Sequence, residues 1–436
     1  MDRIEKQSEE DGINNTTTTI CSGNFHKGII ISGEDDSIAA ASIEYTFQMN
    51  GFVGPIDALT QEEAQAALLE VVTELNIDID NNGQKANCPM INDDDIRNKK
   101  GNISNITCND DHTTSSNDDA RSRFKLHLIL PTLDKIAHHP KIISMVRKCL
   151  GNTNNLLLWS SDINIKPPNS KGYFAPHQDS TYAGLYPPSK CCTIWIALSD
   201  PVGIKEGCLS FYPQSINTMK QLPHNIKSKR SLSTSNINNK EEEEESISSD
   251  GNNSNSNINN NNNNMLSMGQ YISKETIDNV VSAADVKTPI SVPLRSGQMT
   301  IHSFYNIHHS GPNKSNSNRI GFALRYIDGN FVTRGKSAVV KEMVTPIDID
   351  ININDCSSST TTTTPTCCSN CIQNTTITDF DYEPRLPQTN LITNDDIQRM
   401  RIIRNEAMIR EDTNYYSSSS SSSPSTQSLL QDDDDR

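Results

Sequence analysis

Phe174-Ala175-Pro176-His177-Gln178-Asp179-Ser180-Thr181-Tyr182 is the densest chemical signal in this chain of 436 residues. Successive side chains of an extended strand alternate sides, so His177 and Asp179, two residues apart, are expected to point the same way. An imidazole and a carboxylate so placed suit adjacent corners of a metal's coordination sphere. Two histidines and one carboxylate on one face of an octahedron leave three positions open, which is the arrangement suited to oxygen chemistry at iron(II). Standing alone, a His two residues from an Asp is more often an ordinary surface pair, so the third ligand has to be found elsewhere. A second dense stretch supplies it: Gly297-Gln298-Met299-Thr300-Ile301-His302-Ser303-Phe304-Tyr305-Asn306-Ile307-His308-His309-Ser310-Gly311-Pro312-Asn313, followed by Arg319.

Around these stretches, β-branched and aromatic runs broken by Pro, Gly and Asn predict short strands at 156–165, 192–198, 208–212, 290–294, 299–304 and 320–327. Many short strands mean a barrel or a sandwich. Helices are expected upstream. Thr60-Gln61-Glu62-Glu63 reads as a capping box, and Leu68, Val71, Val72 and Leu75 fall on one face of a helix over 60–76. A pair follows at 131–138 and 140–150, with Pro140 at a first helical position, Ile142, Ile143, Val146 and Leu150 on one face, and Gly151 as the stop. A last helix is expected at 394–410, capped by Asn394.

Hydrophobic residues make up 34% of the chain and aromatics 5%, below the usual globular share, so one folded domain over 46–410 is expected, diluted by polar segments. The polar segments are a disordered leader at 1–45, low-complexity insertions at 78–121, 228–264 and 355–379, and a Ser-rich acidic tail at 411–436. A net charge of −16 and a pI near 5.1 work against attraction to phosphate, which sets nucleic acid aside as a partner. No run approaches 18 apolar residues and the start, MDRIEKQSEEDG, is acidic, so the expectation is no membrane span, no secretory leader and a cytoplasmic protein. The ending DDDDR is not a peroxisomal signal. Cys149, Cys191, Cys192 and Cys208 lie in apolar contexts and read as small buried hydrophobes. Cys367-Cys368-Ser369-Asn370-Cys371 resembles half of a zinc set without its partner pair and carries no site. His138 and His139, beside Pro140, read as surface residues, and His302 as one that packs or hydrogen-bonds near the site.

Taken together, these residues resemble the phytanoyl-CoA dioxygenase family of 2-oxoglutarate oxygenases. The resemblance runs in order from Phe52-Val53-Gly54-Pro55 through His177-Gln178-Asp179-Ser180, Trp195-Ile196-Ala197-Leu198 and His308–Asn313 to Glu383-Pro384-Arg385. Asp179 and His308 stand 129 residues apart, more than the family leads one to expect; setting 228–264 aside leaves 92, so the insertion accounts for the excess. The resemblance implies a mainly β protein with flanking helices, built as a double-stranded β-helix, the jelly-roll barrel also found in cupins. It implies His177, Asp179 and His308 as Fe(II) ligands, with the frame of the H-x-S-G-P-N segment selecting His308 over His309. It places Arg319, eleven residues later, on the far carboxylate of 2-oxoglutarate, where a planar guanidinium suits a bidentate pair. Trp195 and Ser310 fall at positions lining the co-substrate pocket, although a strand Trp is otherwise an ordinary core aromatic, and Lys125 at one that approaches 2-oxoglutarate.

The implied reaction uses O2 to hydroxylate a C–H bond of a small organic substrate while 2-oxoglutarate is converted to succinate and CO2. Related iron halogenases replace the carboxylate ligand by a small residue, so Asp179 favours hydroxylation. The stretches at 177–185, 221–224 and 264–270 look closer to bacterial-type members that act on small polar molecules, such as 2-aminoethylphosphonate dioxygenase. Tyr182 and His224 are candidates for substrate contact. Two rival classes are a cupin-type metal enzyme that does not use 2-oxoglutarate and has no need of Arg319, and a catalytically inactive jelly-roll serving as a binding or scaffold module.

Overall fold

The computed structural model describes residues 36–77, 121–226, 263–266, 269–282, 288–334, 340–348, 380–388 and 391–420. The segments read as insertions at 78–121, 228–264 and 355–379 lie outside these, apart from Arg121, Asn263 and Asn264.

Eleven strands form two sheets among the described residues. In chain order they are β1 (Phe52–Asp57), β2 (Leu156–Lys166), β3 (Phe174–His177), β4 (Cys191–Ala197), β5 (Leu209–Phe211), β6 (Ile290–Val292), β7 (Gln298–Ser303), β8 (His308–Ser310), β9 (Arg319–Asp328), β10 (Glu342–Pro346) and β11 (Phe380–Tyr382). The larger sheet runs β1-β7-β4-β9-β2-β10-β11 and the smaller β3-β8-β5-β6. Every pairing is antiparallel except that of β10 with β11.

Alternation along β9 shows how the layers are made. Ile320, Phe322, Leu324 and Tyr326 face a core shared with the helices, while Ala323 faces the smaller sheet. The helical layer consists of α1 (Asp36–Asn50), α2 (Gln61–Glu74), α3 (Pro131–Ala137), α4 (Pro140–Cys149) and, after α5 (Lys274–Ser282), the long α6 (Asn394–Ser420). In α2 the capping box forms: the Thr60 N–H donates to Glu63 Oε2 at 2.8 Å and the Glu63 N–H to Thr60 Oγ1 at 3.2 Å. Its buried stripe is Ala64, Ala67, Val71 and Val72, with Leu68 and Leu75 half-buried at the margin, a small rotation from the expected face. Ile142, Ile143 and Val146 of α4 are buried as expected.

Between the sheets, Trp195, Ala197, Ala323 and Phe52 of the larger pack on Leu209, Phe211 and Val292 of the smaller. Phe52 and Phe211 stack with centroids 4.6 Å apart, a pairing worth about 0.5–1.5 kcal/mol beyond its area. All of Cys191–Ala197 is buried, as a strand covered on both faces must be. Cys149, Cys191, Cys192 and Cys208 are free and buried.

Three edges differ from the sequence reading. The helix α1 begins at Asp36, inside the segment read as a disordered leader to residue 45, and Ile43 and Phe47 bury against the helical core. Residues 263–264 are tied to the smaller sheet, with the Tyr173 N–H donating to the Asn263 carbonyl at 3.0 Å. The helix α6 runs on to Ser420, past the expected end at 410, and its Asn414 side chain bonds both backbone groups of Val340 and reaches Glu342. No helix among the described residues is long and apolar enough to cross a membrane.

Candidate metal and anion site

His177 ends β3 and His308 begins β8, and the two are direct cross-strand partners with ring centroids 4.2 Å apart. The strand stops at His177. Asp179 has helical backbone angles (φ −63°, ψ −30°) and opens the short turn Ser180–Ala183, so its carboxylate meets the imidazole around a bend rather than along an extended chain. One ligand atom from each of His177, Asp179 and His308 lies within 4.8 Å of the others, and all three residues are buried. His309 faces the other way, half-buried with its ring 6.1 Å from that of Tyr212.

Both imidazoles are oriented by the chain itself. His177 Nδ1 meets the Ala175 carbonyl at 2.8 Å and His308 Nδ1 meets the Asn306 carbonyl at 3.1 Å. A carbonyl only accepts, so each Nδ1 carries the proton and each Nε2 keeps its lone pair. Those lone pairs lie 3.6 and 3.7 Å from Asp179 Oδ1, an arrangement that is repulsive unless a cation sits among the three. The donor set of two neutral imidazoles and a carboxylate therefore fits a divalent metal such as iron(II). Burial pushes His308 well below the usual imidazole range, helped by His177 and His302. Burial works against ionisation of Asp179, while the nearby Arg325 guanidinium favours it.

The carboxylate is held from behind. The Tyr182 hydroxyl donates to Asp179 Oδ1 at 2.7 Å, and the Thr193 hydroxyl donates to Oδ2. Arg325 donates to the Tyr182 oxygen at 3.0 Å and pairs with Asp162, so a buried network aims Asp179. His302 Nε2 lies 3.5 Å from Asp179 Oδ2, beside the site as expected. Tyr182, a candidate for substrate contact, therefore also positions the Asp179 carboxylate. His224, the other such candidate, uses Nδ1 to donate to the Leu222 carbonyl at 2.9 Å and Nε2 to accept the Gln178 N–H at 3.0 Å, which pins 222–224 to the His177–Asp179 stretch.

Farther along the same face of β8, two residues from His308, stands the buried Ser310. Arg319 begins β9, 1% exposed, and none of its three guanidinium nitrogens has a hydrogen-bond partner among the described residues. Its Cζ lies 4.1 Å from the centroid of the Trp195 ring, whose Nε1–H donates to Asn164 Oδ1 at 3.0 Å. A buried guanidinium facing only a π surface is costly, and an anion relieves it. Sequence reasoning missed Lys166, whose ammonium donates to the Ser310 hydroxyl in the same place.

Lys125 is not brought to this site. Its ammonium is paired with Glu383 Oε1 at 2.5 Å and donates to the Met343 carbonyl at 2.6 Å, within a buried polar cluster that includes His127, Ser161 and Thr345. His138 is held by Asp134, at 3.1 Å, and His139 is 3.7 Å from Glu63; neither approaches the triad.

A family model described as phytanoyl-CoA dioxygenase (PhyH) matches residues 47–321. Among curated proteins, phytanoyl-CoA dioxygenase domain-containing protein 1 of Danio rerio is 35% identical over 92 residues, 21% of this chain and 31% of that protein. Its Mus musculus counterpart is 36% identical over 90 residues, 21% of this chain and 30% of that protein. The matched part spans about a third of these relatives' length. Among solved structures, the non-heme monooxygenase ThoJ in its apo form superposes with a TM-score of 0.52 at 20% identity, covering 87% of this chain and all of that one, a likeness of fold.

Proposed function

Because the chain belongs to the phytanoyl-CoA dioxygenase family, we propose that it is an Fe(II)- and 2-oxoglutarate-dependent oxygenase that hydroxylates a small organic molecule. On this reading the two packed sheets are the jelly-roll, and His177, Asp179 and His308 hold the iron. Two observations carry it: the lone pairs of two fixed imidazoles facing one carboxylate, and a buried guanidinium with no hydrogen-bond partner among the described residues.

Bound iron would supply the activation of O2 that lets one oxygen atom enter a C–H bond as hydroxyl and the other enter succinate, as 2-oxoglutarate loses CO2. The chain's part is placement and exclusion of water. Tyr182 and Thr193 keep both oxygens of Asp179 occupied and its orientation fixed. Arg319, stacked on the Trp195 ring and with Ser310 near by, would hold the far carboxylate of 2-oxoglutarate. Small polar substrates, phosphonates among them, are the class to try first.

The test is succinate release from 2-oxoglutarate by anaerobically iron-loaded protein, then exposed to air with a panel of phosphonates, amino acids and acyl-CoAs. Succinate that rises with one panel member and disappears in both His177→Ala and Arg319→Ala supports the reading. Succinate that persists in Arg319→Ala, or none with any substrate although iron is bound, contradicts it.

A further inference from the structure

We propose that Lys166 is a second cationic contact for the far carboxylate of 2-oxoglutarate, a specificity-determining residue that selects dicarboxylic over monocarboxylic 2-oxo acids. The inference rests on the reading of the site given above. Lys166 is the last residue of β2, fully buried, and directly opposite Arg319 of β9. Like charges directly opposite on neighbouring strands repel, and here both are out of water. Among the described residues neither has a carboxylate partner. The ammonium donates to the Ser310 hydroxyl and to the Gly311 carbonyl at 2.5 Å, and approaches the Ser310 carbonyl at 3.4 Å. Neutral oxygens satisfy its hydrogens without offsetting its charge.

Two buried basic groups opposite one another, one tied to Ser310 and the other wholly unpartnered among the described residues, define a pocket for one anionic group. A carboxylate there accepts from the Arg319 fork and from Lys166 together. A 2-oxo acid without the far carboxylate leaves the Arg319 guanidinium unpaired and gives Lys166 no anion to protonate for, which is how a site built for a polar group rejects an analogue that lacks it. The remaining groups facing Lys166 are Cys208 just before β5, His309 of β8 and the Phe174 ring of β3, 5.2 Å away, none of them an anion in the resting site. Burial, followed by Arg319, pushes the Lys166 amine down to about 6, so a carboxylate arriving at higher pH draws a proton onto it.

The experiment is calorimetric binding of 2-oxoglutarate and of 2-oxopentanoate, equally long but without the far carboxylate, to the full chain loaded with Fe(II) under anaerobic conditions. Lys166→Met and, as a second variant, Lys166→Gln are expected to weaken 2-oxoglutarate binding about 10- to 100-fold. Both should leave 2-oxopentanoate nearly unchanged. The wild-type chain gives a readout that needs no variant: at pH 8, in two buffers of different ionisation enthalpy, 2-oxoglutarate takes up close to one proton and 2-oxopentanoate none. Unchanged 2-oxoglutarate affinity in the variants, or equal proton uptake for the two acids, overturns the role of Lys166. A wild type that binds neither acid refutes the underlying reading of the site, and this inference with it.

Discussion

The indole of Trp195 occupies the space that a side chain at position 321 would need: a Cβ on Gly321 would come 1.8 Å from Trp195 Cζ2. Gly321 follows Arg319 by two residues on the same face of β9, so the missing side chain lets the indole slide beneath the guanidinium. Gly321→Ala is expected to displace the ring, costing about 1–3 kcal/mol of stability. Thermal unfolding reads the loss, and calorimetry should show weaker 2-oxoglutarate binding. An unchanged Tm with unchanged affinity would mean that the stack is incidental.

Asp179 is gripped by one donor on each oxygen, and the two donors come from different elements. Tyr182→Phe and Thr193→Val are each expected to weaken Fe(II) binding about 10- to 100-fold, as loss of a partner behind a metal ligand does. Anaerobic metal titration checks this. Equal affinity in both variants would show that Asp179 needs no support.

Burial pushes the His224 imidazole down to about 4, the more so with His177 near, although the bond to the Leu222 carbonyl opposes it. Between an unfolded value near 6.5 and that folded value the unfolded chain binds a proton that the folded chain does not, so stability falls as pH drops from about 6.5 to about 4. The neutral ring is also needed to accept the Gln178 N–H. His224→Gln should flatten that part of the stability profile in denaturant titrations at stepped pH, and an unaltered slope would assign the dependence elsewhere.

Lys125 and Glu383 form a buried pair with side chains 3% and 0% exposed. Removing one partner strands the other charge, so Lys125→Met is expected to cost about 3–5 kcal/mol. Adding Glu383→Gln to it should recover part of the loss. Denaturant unfolding of the single and double variants measures the coupling; a double variant no more stable than the single would deny it.

Much of the strand pattern and the pairing of the two histidine stretches was legible in the chain, because β-branched runs and the capping box at 60–63 are local signals. The strands β1, β8, β10 and β11 were not predicted as such, and β3 was read only as an extended stretch running on to Asp179. They are short, and β1, β3 and β10 contain Pro, so tertiary pairing makes them. Lys166, in the dipeptide Lys166-Pro167, reads as the polar end of a strand; only its pairing opposite Arg319 reveals the site. Lys125 misled in the opposite sense: its partner Glu383 is 258 residues away, and no local pattern announces such a pair. Likewise, Asp179 meets His177 through a helical turn that alternation alone does not foresee.

The most direct test of the metal centre is anaerobic Fe(II) titration of the wild-type chain beside His177→Ala, Asp179→Ala, His308→Ala and His309→Ala. The arrangement of lone pairs around Asp179 predicts one iron per chain for wild type and for His309→Ala, and none for the other three at concentrations that saturate wild type. Iron binding that survives in His308→Ala, or that is lost in His309→Ala, would contradict it.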